Sequence, residues 1–185
     1  MIIDLTKASN SYLLQAAAVL KEAFLEKGVN SWDTDEKAWR EVCECIQENC
    51  FALAYIADTA VLGWIGFRPM YAKVTWEMHP LAVAPSVQGQ GIGRRLLQEG
   101  EKTLKERGGE NIVLGTDDET GRTSLSGKDF TQEKIFPAIE SIQNLHRHPF
   151  EFYQKQGYTI VGIIPDANGK GKPDIIMWKR IINNN

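Results

Sequence analysis

The chain has 185 residues, enough for one domain with a sizeable core and short for two. Apolar residues make up 43% and charged residues 24%, a globular balance, and no apolar run approaches the ~20 residues of a membrane span. With 24 acidic against 21 basic residues the net charge is −3, so a nucleic-acid partner, which selects a basic stripe, is not expected.

In chain order, residues 2–5 suit a short strand. A helix over 10–27 follows, opened by Asn10 or Ser11 and closed by Gly28. Leu13, Ala17, Leu20 and Phe24 give it one buried face. A loop over 29–33 carries the exposed aromatic Trp32. A second helix over 35–48 contains Cys43 and Cys45, with Cys50 just beyond. C-x-C-x4-C is neither a zinc spacing nor an even set for disulfides, so all three are expected as buried thiols and no metal site is expected. Cys43 should share its helical face with Trp39, Ile46 and Cys50.

Strands over 50–57 and 61–70 are joined by a turn at 58–60, and a third strand covers 74–83. The glycine-rich segment then leads into a helix over 92–107, stopped by Gly108 and Gly109. A strand over 112–115, a polar stretch over 116–131 and helices over 133–144 and 149–156 follow. Strands over 158–164 and 174–181 end the chain, joined by a loop whose Gly-Lys-Gly-Lys run reads as surface structure. This order suits an α/β sandwich with a largely antiparallel N-terminal half.

Gln88-Gly-Gln-Gly-Ile-Gly93 leaves a strand and opens a helix. Glycines there let an anion approach the backbone, and the first helical N–H groups and the helix dipole attract it. Arg94 and Arg95 add positive charge. A P-loop needs Gly-Lys-Ser/Thr, and a dinucleotide site needs G-x-G-x-x-G at the first strand–helix turn; neither is present. By spacing alone, an anion site and a ligand-free tight turn both stand.

The segment resembles the acetyl-CoA loop of the GCN5-related N-acetyltransferases (GNAT), Q/R-x-x-G-x-G/A, at Gln88, Gly91 and Gly93. Trp76-Glu-Met-His-Pro-Leu81, Leu114-Gly-Thr-Asp-Asp-Glu119, Asn144-Leu-His-Arg-His-Pro-Phe-Glu-Phe-Tyr153 and Pro165-Asp-Ala-Asn-Gly-Lys-Gly-Lys-Pro-Asp174 resemble blocks of bacterial aminoglycoside 6′-N-acetyltransferases. The resemblance implies a single GNAT domain with a mixed, largely antiparallel central sheet and helices on both faces. It implies acetyl-CoA as cosubstrate, a small cationic amine as acceptor, and a homodimer. Leu81, Ala82 and Val83 would offer backbone groups to the pantetheine arm. Gln88, Gly89, Gln90, Gly91, Ile92, Gly93 and Arg94 would hold the pyrophosphate end, with Asn144 a further coenzyme contact. Tyr153 matches the tyrosine near the coenzyme sulfur, a candidate acid for the departing thiolate.

Amine acetylation needs a neutral amine and a polarised thioester, but no protein nucleophile. Glu77, His79 and Leu81 are spaced by two on a strand and should share one face. Glu77 or His79 is the candidate base, and Leu81 N–H the candidate donor to the thioester oxygen. Asp117, Asp118 and Glu119 at a strand end would make a negative field for a polyamine-like substrate, and Trp32 and Tyr71 are loop aromatics suited to a sugar face. An acetyltransferase for another amine, such as a polyamine or a protein terminus, fits the same residues, as does a coenzyme-A-binding protein without transfer activity. The N-terminus shows no basic leader with an apolar core and a cleavage site, so the cytoplasm is the expected compartment.

Overall fold

The computed structural model describes residues 1–181. They fall into two compact units, Met1–Ile112 with Ile181, and Val113–Arg180.

The first unit contains β1 (Ile2–Asp4), α1 (Asn10–Leu25), α2 (Asp35–Cys45), β2 (Phe51–Ala57), β3 (Ala60–Pro69), β4 (Thr75–Val83) and α3 (Ile92–Glu106). Its strands lie in the order β1-β2-β3-β4, each pair antiparallel. α2 starts at Thr34, whose hydroxyl accepts from the Lys37 N–H, and carries Asp35 and Glu36 in its first turn, where the helix dipole favours acids. Asp58 and Thr59 both adopt positive φ, the pairing that lets a two-residue turn follow the twist of its strands. The turn is therefore one residue shorter than the expected 58–60.

β2 and β3 are buried along most of their length instead of alternating, because both faces are covered. On one face α1 and α2 bring Leu13, Ala16, Leu20, Ala38 and Val42 against Ala52, Ala54, Trp64 and Ala82, and Trp64 donates its indole N–H to the Ala16 carbonyl at 2.8 Å. On the other face Phe51 stacks on Phe67, with centroids 4.8 Å apart. α3 closes on this pair at Gly100, where any Cβ would collide with the Phe67 ring. Helices on both faces, as expected, are thus built from two different apolar sets. Cys45 is the buried thiol of α2, while Cys43 and Cys50 are only half-buried. The most buried stripe of α2 runs through Ala38, Glu41, Val42 and Cys45, with Trp39 and Ile46 packed partly buried at its border.

The second unit takes β5 (Asn111–Asp117) from Val113 on, with α4 (Ile135–Glu140), α5 (Phe150–Lys155), β6 (Thr159–Ile164) and β7 (Asp174–Arg180). Strand order is β5-β7-β6, with β6 and β7 antiparallel. Leu114, Leu125, Phe150, Tyr153, Tyr158, Ile175 and Met177 are buried. α4 is half the helix expected over 133–144. It lacks a side-chain N-cap, and after Glu140 the chain leaves the helix so that Gln143 can exchange hydrogen bonds with Ser124.

Candidate active site

Opposite β3, the register of β4 slips. Ile65 faces Leu81 but Phe67 faces Met78, so β4 carries one extra residue, at His79–Pro80, against Gly66. Pro80 has no N–H for the ladder, which suits a bulge. Gly66 is required across from it, since a Cβ there would lie 2.6 Å from the His79 carbonyl oxygen and 2.7 Å from Cys45 Sγ.

The extra residue reverses the pleat. Glu77 pairs with Arg68, and Arg68 shares the helix-α2 face with Gly66; His79 faces α2 as well. Beyond the bulge it is Ala82, opposite Trp64, that joins the α1–α2 core. Leu81, opposite Ile65, turns to the α3 face. The expectation that Glu77, His79 and Leu81 share one face is corrected: the first two do, and Leu81 does not.

On the α2 face, Glu77 Oε2 accepts from Arg68 Nε at 2.6 Å. That hydrogen bond, against a smaller opposing effect of burial, raises the arginine's pKa further. Next to this pair, His79 Nε2 lies 3.4 Å from Glu41 Oε1. Glu41, only 9% exposed, also accepts from the Trp32 indole N–H at 3.1 Å. Cys45 Sγ is 3.6 Å from the same Glu41 oxygen and 3.3 Å from the His79 carbonyl oxygen. Burial works to raise the Glu41 pKa, but hydrogen bonds from His79 and Trp32 and the charges of His79 and Arg68 outweigh it, and the net shift is downward. Burial and the neighbouring carboxylate push the Cys45 thiol up, so it stays protonated. Trp32 is therefore half-buried, its ring 5.5 Å from that of His79 and 4.6 Å from Phe24. Tyr71 is 69% exposed in the β3–β4 turn, and among the described residues no hydrogen bond or ring contact ties it to this cluster.

After β4 a single 3-10 turn, Pro85–Val87, leads into the glycine loop. Gln88 folds back to donate to the Val83 carbonyl at 2.9 Å. Gly89 and Gly91 take φ of 78° and 81°, and the space where each Cβ would stand is open. Gly91 caps α3 without a side-chain bond, so the Ile92, Gly93 and Arg94 amides have no intrahelical acceptor. Arg94 is exposed beside them, while Arg95 donates to the Tyr55 hydroxyl at 3.2 Å. Open glycines, free first-turn amides and adjacent guanidinium charge fit a pyrophosphate.

In the second unit, Asp118 is fully buried and accepts from Arg122 N–H, Thr123 N–H and the Thr123 hydroxyl at 2.6, 2.8 and 2.7 Å. The carboxylate is spent on its own loop. Asp117 is exposed and accepts from the Asn168 amide. Burial first, then the Asp117 charge, raise the Glu119 pKa against an opposing Lys172. Asn144 is committed to a reciprocal pair of bonds with the His148 backbone. His148 itself donates from Nε2 to the Asp117 carbonyl at 3.0 Å and accepts the Phe150 N–H at Nδ1, which makes it a neutral ring. Tyr153 lies in the core of this unit against Tyr158 and Phe152, and burial raises its phenol pKa.

Glu41, Arg68 and His148 were not singled out by the sequence. For Glu41 the signal was present: a carboxylate one turn from Ala38 and Cys45, on the apolar stripe of α2.

The acetyltransferase (GNAT) family pattern matches residues 15–125. The chain belongs to the GNAT acetyltransferase family. A structure of an aminoglycoside 6′-N-acetyltransferase complexed with coenzyme A is 38% identical, with 100% of this chain and 99% of that one covered and a TM-score of 0.88. The aminoglycoside 6′-N-acetyltransferase from Enterococcus faecium is also 38% identical over 100% and 99% of the two chains, at 0.87. An aminoglycoside 6′-acetyltransferase of type Ii is 33% identical over the same shares, at 0.74. A comparison with curated protein sequences finds no match. This GNAT chain therefore has the family's α/β fold with a mostly antiparallel sheet, and acetyl-CoA is the cosubstrate. Among the described residues no helix is long and apolar enough to cross a membrane.

Proposed function

We propose that this acetyltransferase moves an acetyl group from acetyl-CoA to the 6′-amine of an aminoglycoside, by direct attack in a ternary complex. The observation that carries the reading is the 38% identity, over the full chain, to aminoglycoside 6′-N-acetyltransferases. The chemistry of the α2 face supports it. Acetyl-CoA supplies an activated thioester carbonyl. Glu77 and His79 supply a carboxylate and an imidazole on one face, one to draw in a cationic amine and either to take its proton. Arg68 already occupies Glu77 Oε2, so Oε1 is the oxygen left for the amine. Leu81 N–H, just past the bulge, is the donor assigned to the thioester oxygen, with Ala82 and Val83 backbone groups along the pantetheine arm. The loop from Gln88 to Arg94 takes the pyrophosphate. Tyr153, kept protonated by burial, is assigned the proton for the departing thiolate. Asp117 and Trp32 are assigned to the aminoglycoside, and Tyr71 to a sugar face; Asp118 and Asn144 serve by shaping their loops. The enzyme acts as one cytoplasmic domain in a homodimer and protects its host from the drug; sedimentation at the mass of a single chain would overturn the dimer.

The deciding assay follows acetyl-CoA consumption with three amines: a kanamycin-type aminoglycoside, the same scaffold blocked at the 6′ position, and spermidine. Thiol release with the first alone is expected. Release with spermidine alone keeps the acetyltransferase and rejects the aminoglycoside. No release with any amine rejects transfer activity.

A further inference from the structure

The network on the α2 face contains a carboxylate for which the proposed reaction gives no task. Glu41 is buried and accepts from the Trp32 indole N–H at 3.1 Å and the Cys45 thiol at 3.6 Å, and His79 Nε2, a nitrogen able to donate, lies 3.4 Å away. A surround of donors alone suits an ionised carboxylate and leaves a neutral acid, which must donate, without a partner. Burying a carboxylate is costly unless it is paired, and here the pairing is with His79, one of the two candidate bases.

We propose that Glu41 is a positioning residue: it holds the His79 imidazole with the Nε2 proton turned inward, which commits Nδ1 to the substrate amine. The proposal rests on the aminoglycoside reading of the site. α2 pins His79 twice, at its ring through Glu41 and at its carbonyl oxygen through Cys45 one helical turn later. The bulge supplies that carbonyl, and Gly66 opens the space for Cys45 to reach it. A ring fixed at Nε2 has a lone pair at Nδ1 of defined direction. When Nδ1 takes the amine proton, the resulting imidazolium already has a carboxylate 3.4 Å from its far nitrogen. The charge that develops is thus met by one in place beforehand, the arrangement that makes a buried acid behind a histidine effective in general base catalysis. Trp32 contributes by capping the second Glu41 oxygen and lying against the imidazole, so the ring has little room to turn.

The test uses the full-length enzyme. E41Q, H79A and the double variant are assayed with a 6′-amino aminoglycoside over a range of acetyl-CoA concentrations up to saturation, and the His79 ring tautomer is read by 15N NMR in the wild type. E41Q is expected to lower kcat by about 10- to 100-fold, less than the roughly 10²–10⁴-fold that a general base itself contributes, with KM for acetyl-CoA within about twofold. Added to H79A, the same change should cost no more than about twofold, since residues acting through one group are not additive. An equal loss in both backgrounds means a merely structural Glu41 and overturns the proposal. So does a wild-type His79 that carries its proton on Nδ1 or averages the two tautomers, whether or not E41Q folds. A wild type that acetylates no aminoglycoside rejects the proposed function instead, and the NMR result still decides whether Glu41 holds the ring.

Discussion

Two carboxylates on the α2 face live in different electrostatic settings. Glu77 is half-exposed and bound to a guanidinium; Glu41 is buried and bound to an indole, a thiol and an imidazole. Only the first can meet a substrate cation from solvent. Glu77→Ala is therefore expected to cut turnover by at least about tenfold while the coenzyme dissociation constant, measured by calorimetry, stays within about twofold; unchanged turnover would remove Glu77 from the mechanism. His148 makes a different prediction. Burial is the largest influence on it and lowers its pKa below 6.5, against the pull of the Asp117 carbonyl and the Asp118 charge. The unfolded chain protonates this ring before the folded chain does. Folding stability should consequently fall as pH drops below 6.5 toward the folded value, and level off beneath it. His148→Gln should flatten that limb in urea unfolding followed from about pH 7.5 to about 5.5; an unchanged slope would assign the limb to other groups.

Among the elements, β4 separates what the sequence made legible from what it did not. Its existence and length followed from alternation, and Pro80 advertised a break in the ladder. The phase reversal did not follow, because period-two reading assumes an unbroken pleat. Only Gly66 on the facing strand, together with Pro80, explains it, and a cross-strand pair is invisible to a local pattern. Gly66→Ala should therefore do two things at once: lower stability by about 1–3 kcal/mol through overpacking, and reduce kcat by displacing His79. A thermal melt and an assay on the same preparation check both, and a variant that melts and turns over like wild type would contradict the packing. α2 ends about one turn before the expected Glu48, and its most buried stripe is shifted from Cys43 to Glu41 and Cys45, although Trp39 and Ile46 still pack at the border of the core. Burying a carboxylate there is a tertiary fact, made possible by donors from the preceding loop and from β4. α4 is shorter than its pattern predicts for the opposite reason: its isoleucines keep helical spacing, yet the loop at Thr123 and Ser124 claims the backbone that would have extended it.

For the molecule as a whole, the glycine loop was the most legible part, because positive φ and unfilled space are properties glycine announces by itself. A chain of net charge −3 binding an anionic cosubstrate must do so through local fields, here the α3 terminus and its arginines. Coenzyme A at about 100 times its dissociation constant should stabilise the fold by about 2.7 kcal/mol. Gly91→Val, which forces a branched side chain into a left-handed backbone, should abolish most of that gain; an undiminished shift in melting temperature would place the coenzyme elsewhere. The bulge in β4 has a consequence for how such an enzyme changes over time. Because the pleat reverses at Pro80, the odd-numbered side chains Glu77 and His79 answer to one side of the sheet and the odd-numbered Leu81 to the other, while Ala82 takes over on the α2 side. Substitutions that retune the acceptor can accumulate at Glu77 and His79 without touching Leu81 on the α3 side. Loss of a single residue at that point would restore a regular ladder without turning either set, so its whole cost would fall on the His79 segment that the bulge presents to α2.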